Sequence, residues 1–162
     1  MEISKYMNQI YECLSKGAFL TTKDEKVNTM TVSWGLIGIE WGTPVMTVMV
    51  RESRFTKDAL DKNNEFTLTL PIPGEMAEEL GFCGSKSGRD FDKIAECNMS
   101  LIDSDVIDTP IVYAKGLALE CKVLYKEEIN SANMCCAVKN KWYASNDYHT
   151  YYHAQIVNIK EL

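Results

Sequence analysis

The stretch Val27-Asn28-Thr29-Met30-Thr31-Val32-Ser33-Trp34-Gly35, continued through Gly42-Thr43-Pro44 into Val45-Met46-Thr47-Val48-Met49-Val50, decides the fold. Residues 27–41 are rich in Val, Ile, Thr and Trp, which pack well on a pleated surface. Gly35 and Gly38 interrupt them, and glycines inside a strand pattern predict a bulge or bend of the kind barrels use at corners. Gly42-Thr43-Pro44 reads as a turn, so the two β segments form a hairpin.

Working outward, Met7, Ile10, Tyr11 and Leu14 lie at helical spacing, and Gly17 ends that short helix. Residues 18–22 read as a strand that stops at the charged turn Lys23-Asp24-Glu25-Lys26. Beyond the hairpin, Ser53 fits an N-cap for a helix carrying Phe55, Ala59 and Leu60. Phe66, Leu68 and Leu70 alternate with polar neighbours in a half-buried strand that Pro71 and Pro73 stop. A second helix over 75–80 leads into a loop, 81–88, and residues 89–94 make a helical turn. Residues 112–125 are strand-rich, 130–138 helical, and 151–159 a closing strand. The connections are too short for repeated βαβ crossovers, so the expected fold is mainly β: an antiparallel barrel with short peripheral helices, one domain over 1–162.

The chain has 162 residues and a net charge of −6, from 17 Lys and Arg against 23 Asp and Glu. That balance, without a basic run, excludes a backbone-driven nucleic-acid binder and disfavours anionic membranes. No segment reaches the roughly 20 apolar residues of a membrane span, and the N-terminus lacks a signal-peptide pattern. The six cysteines show no C-x-x-C or zinc spacing, which predicts a reduced, cytoplasmic protein with cysteines acting as small hydrophobes.

Arg51-Glu52-Ser53-Arg54-Phe55-Thr56 is the most informative constellation. A strand ends and a helix begins there, so free N–H groups, two guanidinium groups and two hydroxyls could receive a phosphate monoester. An ordinary Ser cap beside solvated arginines fits the spacing equally well. Gly84-Ser85-Lys86-Ser87-Gly88 lacks the order of a phosphate-binding P-loop and the strand before it, and no G-x-G-x-x-G is present. The loop suits either close approach to a polar ring edge or a plain helix-to-helix turn. His149 and His153 have i, i+4 spacing but no zinc-protease Glu, so no metal site is read. Trp34, Trp41 and Trp142 could stack on a planar ligand, although core or interface packing is the commoner use of such rings. No side-chain acid, base or nucleophile is legible, which fits a protein whose reactive atoms belong to a cofactor.

Four segments in order, 17–22, 28–35, 50–56 and 65–71, resemble the flavin reductase-like, FMN-binding split-barrel family. Residues 81–93 are similar to its flavoredoxin branch, and Tyr152-His153-Ala154-Gln155-Ile156-Val157 is similar to its last strand. The resemblance implies a six-stranded split barrel that forms a homodimer and binds FMN near the subunit interface. It places Asn28, Thr29, Met30, Thr31, Val32, Ser33 and Trp34 along the isoalloxazine ring. Arg51, Ser53, Arg54 and Thr56 would hold the phosphate, Val50 is also placed among the cofactor-binding residues, and Cys83, Ser85 and Ser87, with Lys93, would reach the flavin or its phosphate from the other side. His153 would help place a nicotinamide. The implied activity is hydride transfer from NAD(P)H to FMN, in which stacking the rings about 3–3.5 Å apart does most of the work. Two other readings remain open: an electron carrier reduced by a redox protein partner, and a binding module that has lost redox work.

Overall fold

Residues 2–162, which the computed structural model describes, form nine strands and five α-helices joined by short turns. In chain order these are α1 (Met7–Lys16), β1 (Ala18–Lys23), β2 (Val27–Val32), β3 (Gly35–Glu40), β4 (Thr43–Arg51) and α2 (Phe55–Lys62). Then come β5 (Glu65–Pro71), α3 (Ala77–Ser85), α4 (Lys93–Glu96), β6 (Leu101–Ile102), β7 (Ile111–Val112), β8 (Gly116–Glu128), α5 (Cys136–Trp142) and β9 (His149–Glu161). Seven strands make one antiparallel sheet in the order β2-β1-β5-β8-β9-β4-β3, and β6 pairs with β7 apart from it.

The period of two along each strand sorts residues between an interior and an outer face. Leu20, Met30, Val32, Met46, Val48, Val50, Phe66, Leu68, Leu70, Leu117, Leu119, Tyr152, Ala154 and Ile156 share one buried core. Helix α1 adds Ile10, Cys13 and Leu14 to it, one apolar stripe at helical spacing. The helix stops at Gly17, whose φ of +119° only glycine adopts freely and whose N–H bonds the carbonyls of Cys13 and Leu14, both at 3.1 Å.

The outer face of β1 and β5 is covered as well. Phe19 packs with Leu80, Cys83, Met99 and Val112. Thr67 and Thr69 donate to the carbonyls of Pro110 and Val112 at 2.7 and 2.9 Å, so buried hydroxyls there are satisfied. Glu120, fully buried, accepts from the backbone N–H groups of Asp105 and Val106 and from Asn158 Nδ2, at 2.8 to 3.0 Å.

Three local expectations are corrected. The β3–β4 ladder runs in unbroken register from Gly35↔Val48 to Glu40↔Thr43, so Gly35 and Gly38 mark no bulge. Gly35 is instead a close approach: a Cβ there would meet the Thr47 carbonyl oxygen at 2.6 Å. The irregularities lie between β8 and β9, at Glu120/Cys121 and Val123/Tyr125. The hairpin turns at Trp41-Gly42, both with positive φ, and Thr43 and Pro44 already belong to β4. Finally, α3 continues through Gly81 and Gly84 to Ser85, where a loop was expected, because Leu80 and Cys83 anchor its buried side.

No ladder joins β2 to β3 or β4, so the barrel is split along that seam. The core predicts that Leu68→Ala, at a fully buried site, lowers unfolding free energy by about 2–5 kcal/mol. Leu36→Ala, on the exposed edge strand, should stay within about 0.5 kcal/mol. Urea denaturation of both variants checks the contrast.

Candidate functional site

The seam opens because the β3–β4 ladder ends at Gly35↔Val48, leaving Met49–Arg51 to run on beside β2. An edge strand there presents backbone N–H and C=O groups with no ladder partner. A cavity of about 360 Å³ occupies the gap, lined by residues 30–34, Met49, Arg51, Ser53, Arg54, Asp147 and His149. Trp34 forms part of its wall. Its ring meets Trp142 edge-on at 4.9 Å between centroids and His149 at 5.3 Å.

The ladder between β4 and β9 sets Arg51 opposite His149. Arg51 donates to the carbonyls of Asp147, at 2.5 Å, and Trp142, at 3.2 Å, and its guanidinium lies 5.3 Å from the Tyr143 ring centre. These contacts fix the 142–148 segment as the far wall. His149 is buried and shares a 2.8 Å hydrogen bond with the Tyr143 hydroxyl. Burial first, and the Arg51 charge second, push its pKa down to about 4.

A second hollow, about 90 Å³, adjoins the first and shares Met30, Ser53 and Arg54 with it. Phe55, Thr56, Lys86, Ser87, Gly88 and Lys93 complete it. Arg54 is half-buried and donates to the Gly84 carbonyl. Lys93 is 4% exposed, and its Nζ reaches only the Cys83 and Lys86 carbonyls, each at 3.4 Å. Among the described residues no carboxylate pairs with either group. Burial lowers the pKa of both, that of Lys93 to about 8. Two desolvated cations side by side are costly unless an anion joins them. The hollow therefore calls for negative charge.

Gly88 closes this hollow. A Cβ on it would fall 2.0 Å from Asn28 Oδ1 and 2.7 Å from Phe55 Cδ1, so only glycine lets the loop settle on them. Asn28 in turn donates to Thr56 Oγ1 at 2.9 Å, tying β2 to the first turn of α2.

Most of the residues singled out from sequence converge here. Met30, Thr31, Val32, Ser33, Trp34, Arg51, Ser53 and Arg54 line the large cavity, and Thr56, Ser87 and Lys93 the small one. Others do not. Val50 points into the barrel core, since parity puts it opposite Arg51. Cys83 is fully buried beside Phe19 and Leu80, and the exposed Ser85 hydroxyl donates back to the Phe82 carbonyl. Thr29 is turned to Thr21 and the Leu20 carbonyl. His153 lies four residues along β9 from the cavity, held by Glu40 and Thr47. Ser53 is no N-cap: Arg54 occupies that position, and the Ser53 hydroxyl donates to Asp147 Oδ2 at 2.7 Å. Arg51, with its guanidinium bonded to carbonyls, is a wall residue more than a free phosphate ligand. Sequence reasoning missed Met49, Lys86, Gly88, Asp147 and His149. Alternation with Arg51 could have found Met49; Asp147 and His149 depend on the long-range β4–β9 pairing.

A family model described as flavin reductase like domain matches residues 12–160. Among solved structures, flavoredoxin of Desulfovibrio vulgaris (Miyazaki F) is similar at a TM-score of 0.71 and 20% identity, covering 90% of this chain and 69% of that one. Flavoredoxin from Methanosarcina acetivorans matches with TM-score 0.71, 20% identity and coverage of 90% and 68%. An NADH:FAD oxidoreductase of Streptomyces globisporus matches at 0.69 and 12% identity, covering 90% and 75%. These likenesses show a shared fold. No curated protein sequence matches the chain. Among the described residues, no helix is long and apolar enough to cross a membrane.

The buried, uncharged His149 has a consequence for stability. Its folded pKa of about 4 lies below the unfolded value of 6.5, so the unfolded chain binds the proton first as pH falls. Its contribution is complete above about pH 6.5 and is lost on the way down to about 4. Denaturation midpoints of wild type should fall across that window, and His149→Gln should flatten part of the slope; equal slopes would remove the assignment.

Proposed function

We propose that this chain, which belongs to the flavin reductase like domain family, binds FMN and passes a hydride from NADH or NADPH to it. The observation that carries this reading is the pairing of two joined hollows: a wide one beside an aromatic wall and a small one holding Arg54 and Lys93 without a counter-ion. A flat ring system with a terminal phosphate has that shape and that charge distribution.

The residues fit the group end by end. Arg54, Lys86 and Lys93 offer cations to a phosphate, and Ser53, Ser87 and Thr56 offer hydroxyls. Helix α2 starts at this hollow, so its first N–H groups and positive end add to the attraction. In the seam, the free backbone edge at 30–34 suits the polar rim of the ring, while Met30, Met49 and Trp34 give its faces apolar contact. Bound FMN would supply the hydride-accepting atom, so the chain itself needs no acid or nucleophile. Its part is to hold the ring, keep one face open to a nicotinamide and exclude water from the other.

The chain is further proposed to act as a homodimer. Leu36 and Ile39 on edge strand β3 and Trp41 in the turn after it are 66–72% exposed, and a second copy would cover apolar surface at this edge. A monomeric mass by light scattering would remove this part of the proposal.

A phosphate held by charge-assisted bonds loses about 1.5–3 kcal/mol per bond, so Arg54→Ala and Lys93→Met should each weaken FMN at least about tenfold. Fluorescence titration of the apoprotein checks this, and unchanged affinity in both variants contradicts the site. Anaerobic addition of NADH or NADPH to the FMN complex tests the reaction. Bleaching within seconds is expected; bleaching only with dithionite would favour a carrier fed by a protein partner, a role for which the acidic charge of −6 suits a basic surface.

A further inference from the structure

Two free thiols meet beside the small hollow, and the flavin reading gives neither a task. Cys83 lies in the last turns of α3, fully buried, and Cys97 caps the end of α4, partly exposed. Cys97 packs on the small apolar cluster that contains Cys83, so the two thiols are neighbours there. Between them in the chain run Lys86, Ser87, Gly88 and Lys93, the loop side of the hollow. Lys93 opens α4, and its Nζ bonds the carbonyl of Cys83 itself.

We propose that Cys83 and Cys97 form a reversible disulfide that fastens the end of α3 to the end of α4 and clamps the loop over the small hollow. For thiols that are neighbours in one small cluster, rotation about the side-chain bonds and a small backbone shift give bonding geometry. The oxidant is a hydroperoxide, such as hydrogen peroxide formed where reduced flavin meets dioxygen; the source of the oxidant, though not the bond, rests on the FMN reading.

The chemistry balances in two steps. Peroxide transfers one oxygen to the more accessible Cys97 sulfur, giving a sulfenic acid and one water. The Cys83 sulfur then attacks it, the S–S bond forms, and the hydroxyl leaves with the Cys83 proton as a second water. Two thiols are oxidised and one peroxide is reduced. Lys93 faces both sulfurs as a cation, with Arg54 and Lys26 near it, while Glu79 and Glu96 face them as anions. Burial pushes both thiols up, Cys83 to about 12, so the pair stays reduced under brief exposure and reacts faster as pH rises.

The test uses the full chain with Cys135→Ser and Cys136→Ser, which removes the two exposed thiols. Peroxide at pH 8.5 should remove two hydrogens from the intact mass and yield a linked peptide pair containing Cys83 and Cys97, reversed by dithiothreitol. Adding Cys97→Ser should abolish the link. The oxidised protein should release FMN at least about threefold more slowly, because the loop must open for the phosphate to leave. Sulfinic acid at Cys97 without a link, or no oxidation at all, would overturn the disulfide. A link with unchanged FMN release would overturn the clamp. Mass spectrometry needs no flavin, so a chain that failed to bind FMN would still decide the first point.

Discussion

The unclosed seam between β2 and β4 is the constraint from which the site follows. Apart from the outer edge of β3, the other strand edges of the main sheet are paired in ladders, and alternate residues of those strands are committed to the core. Only where β3 stops pairing at Val48 does the sheet leave backbone groups facing a gap. Met30 and Val32 serve both sides of that arrangement, packing into the core and lining the cavity. A closed barrel of the same strands would have no room for a ligand; a wider opening would expose the core.

Charge is arranged on that frame with the same economy of parts. Arg51 donates to the carbonyls of Asp147 and Trp142 and so holds the 142–148 wall against β4. Arg54 and Lys93 receive only carbonyl contacts from the end of α3 and the loop after it. The folded chain therefore keeps two cations under desolvation, a cost that an anionic ligand offsets. Stability and ligand binding are linked through these two side chains, because whatever binds the folded form alone also stabilises it. Cys83 and Cys97 share the apolar cluster beside the carbonyl that Lys93 meets, next to the loop that the proposed disulfide would fasten.

Much of the fold was legible because alternation writes strands directly into sequence. Phe66, Leu68 and Leu70 show their buried face without any knowledge of partners, and a mainly β antiparallel barrel followed, while its being split came from the family resemblance. The anion site at Arg51–Thr56 was legible as a set of residue types but not as a division of labour. Ser53 reads as a cap in isolation; only the approach of Asp147 from the far end of the chain turns its hydroxyl away. Val50 was grouped with the ligand residues by resemblance, although its parity with Arg51 already pointed it inward. Gly81 and Gly84 read as breakers, yet packing of Leu80 and Cys83 carries the helix through them. His149 could not be chosen over His153, since the choice depends on the β4–β9 register.

The account turns on the claim that the small hollow exists for a terminal phosphate, and one comparison tests that claim most directly. FMN and riboflavin share the ring and the ribityl chain and differ in the phosphate alone. Titrated into the same apoprotein at pH 7, FMN should bind at least about a hundredfold more tightly, as two charge-assisted contacts to a dianion require. Equal affinity for the two flavins would contradict it, leaving Arg54 and Lys93 buried for a reason other than the cofactor.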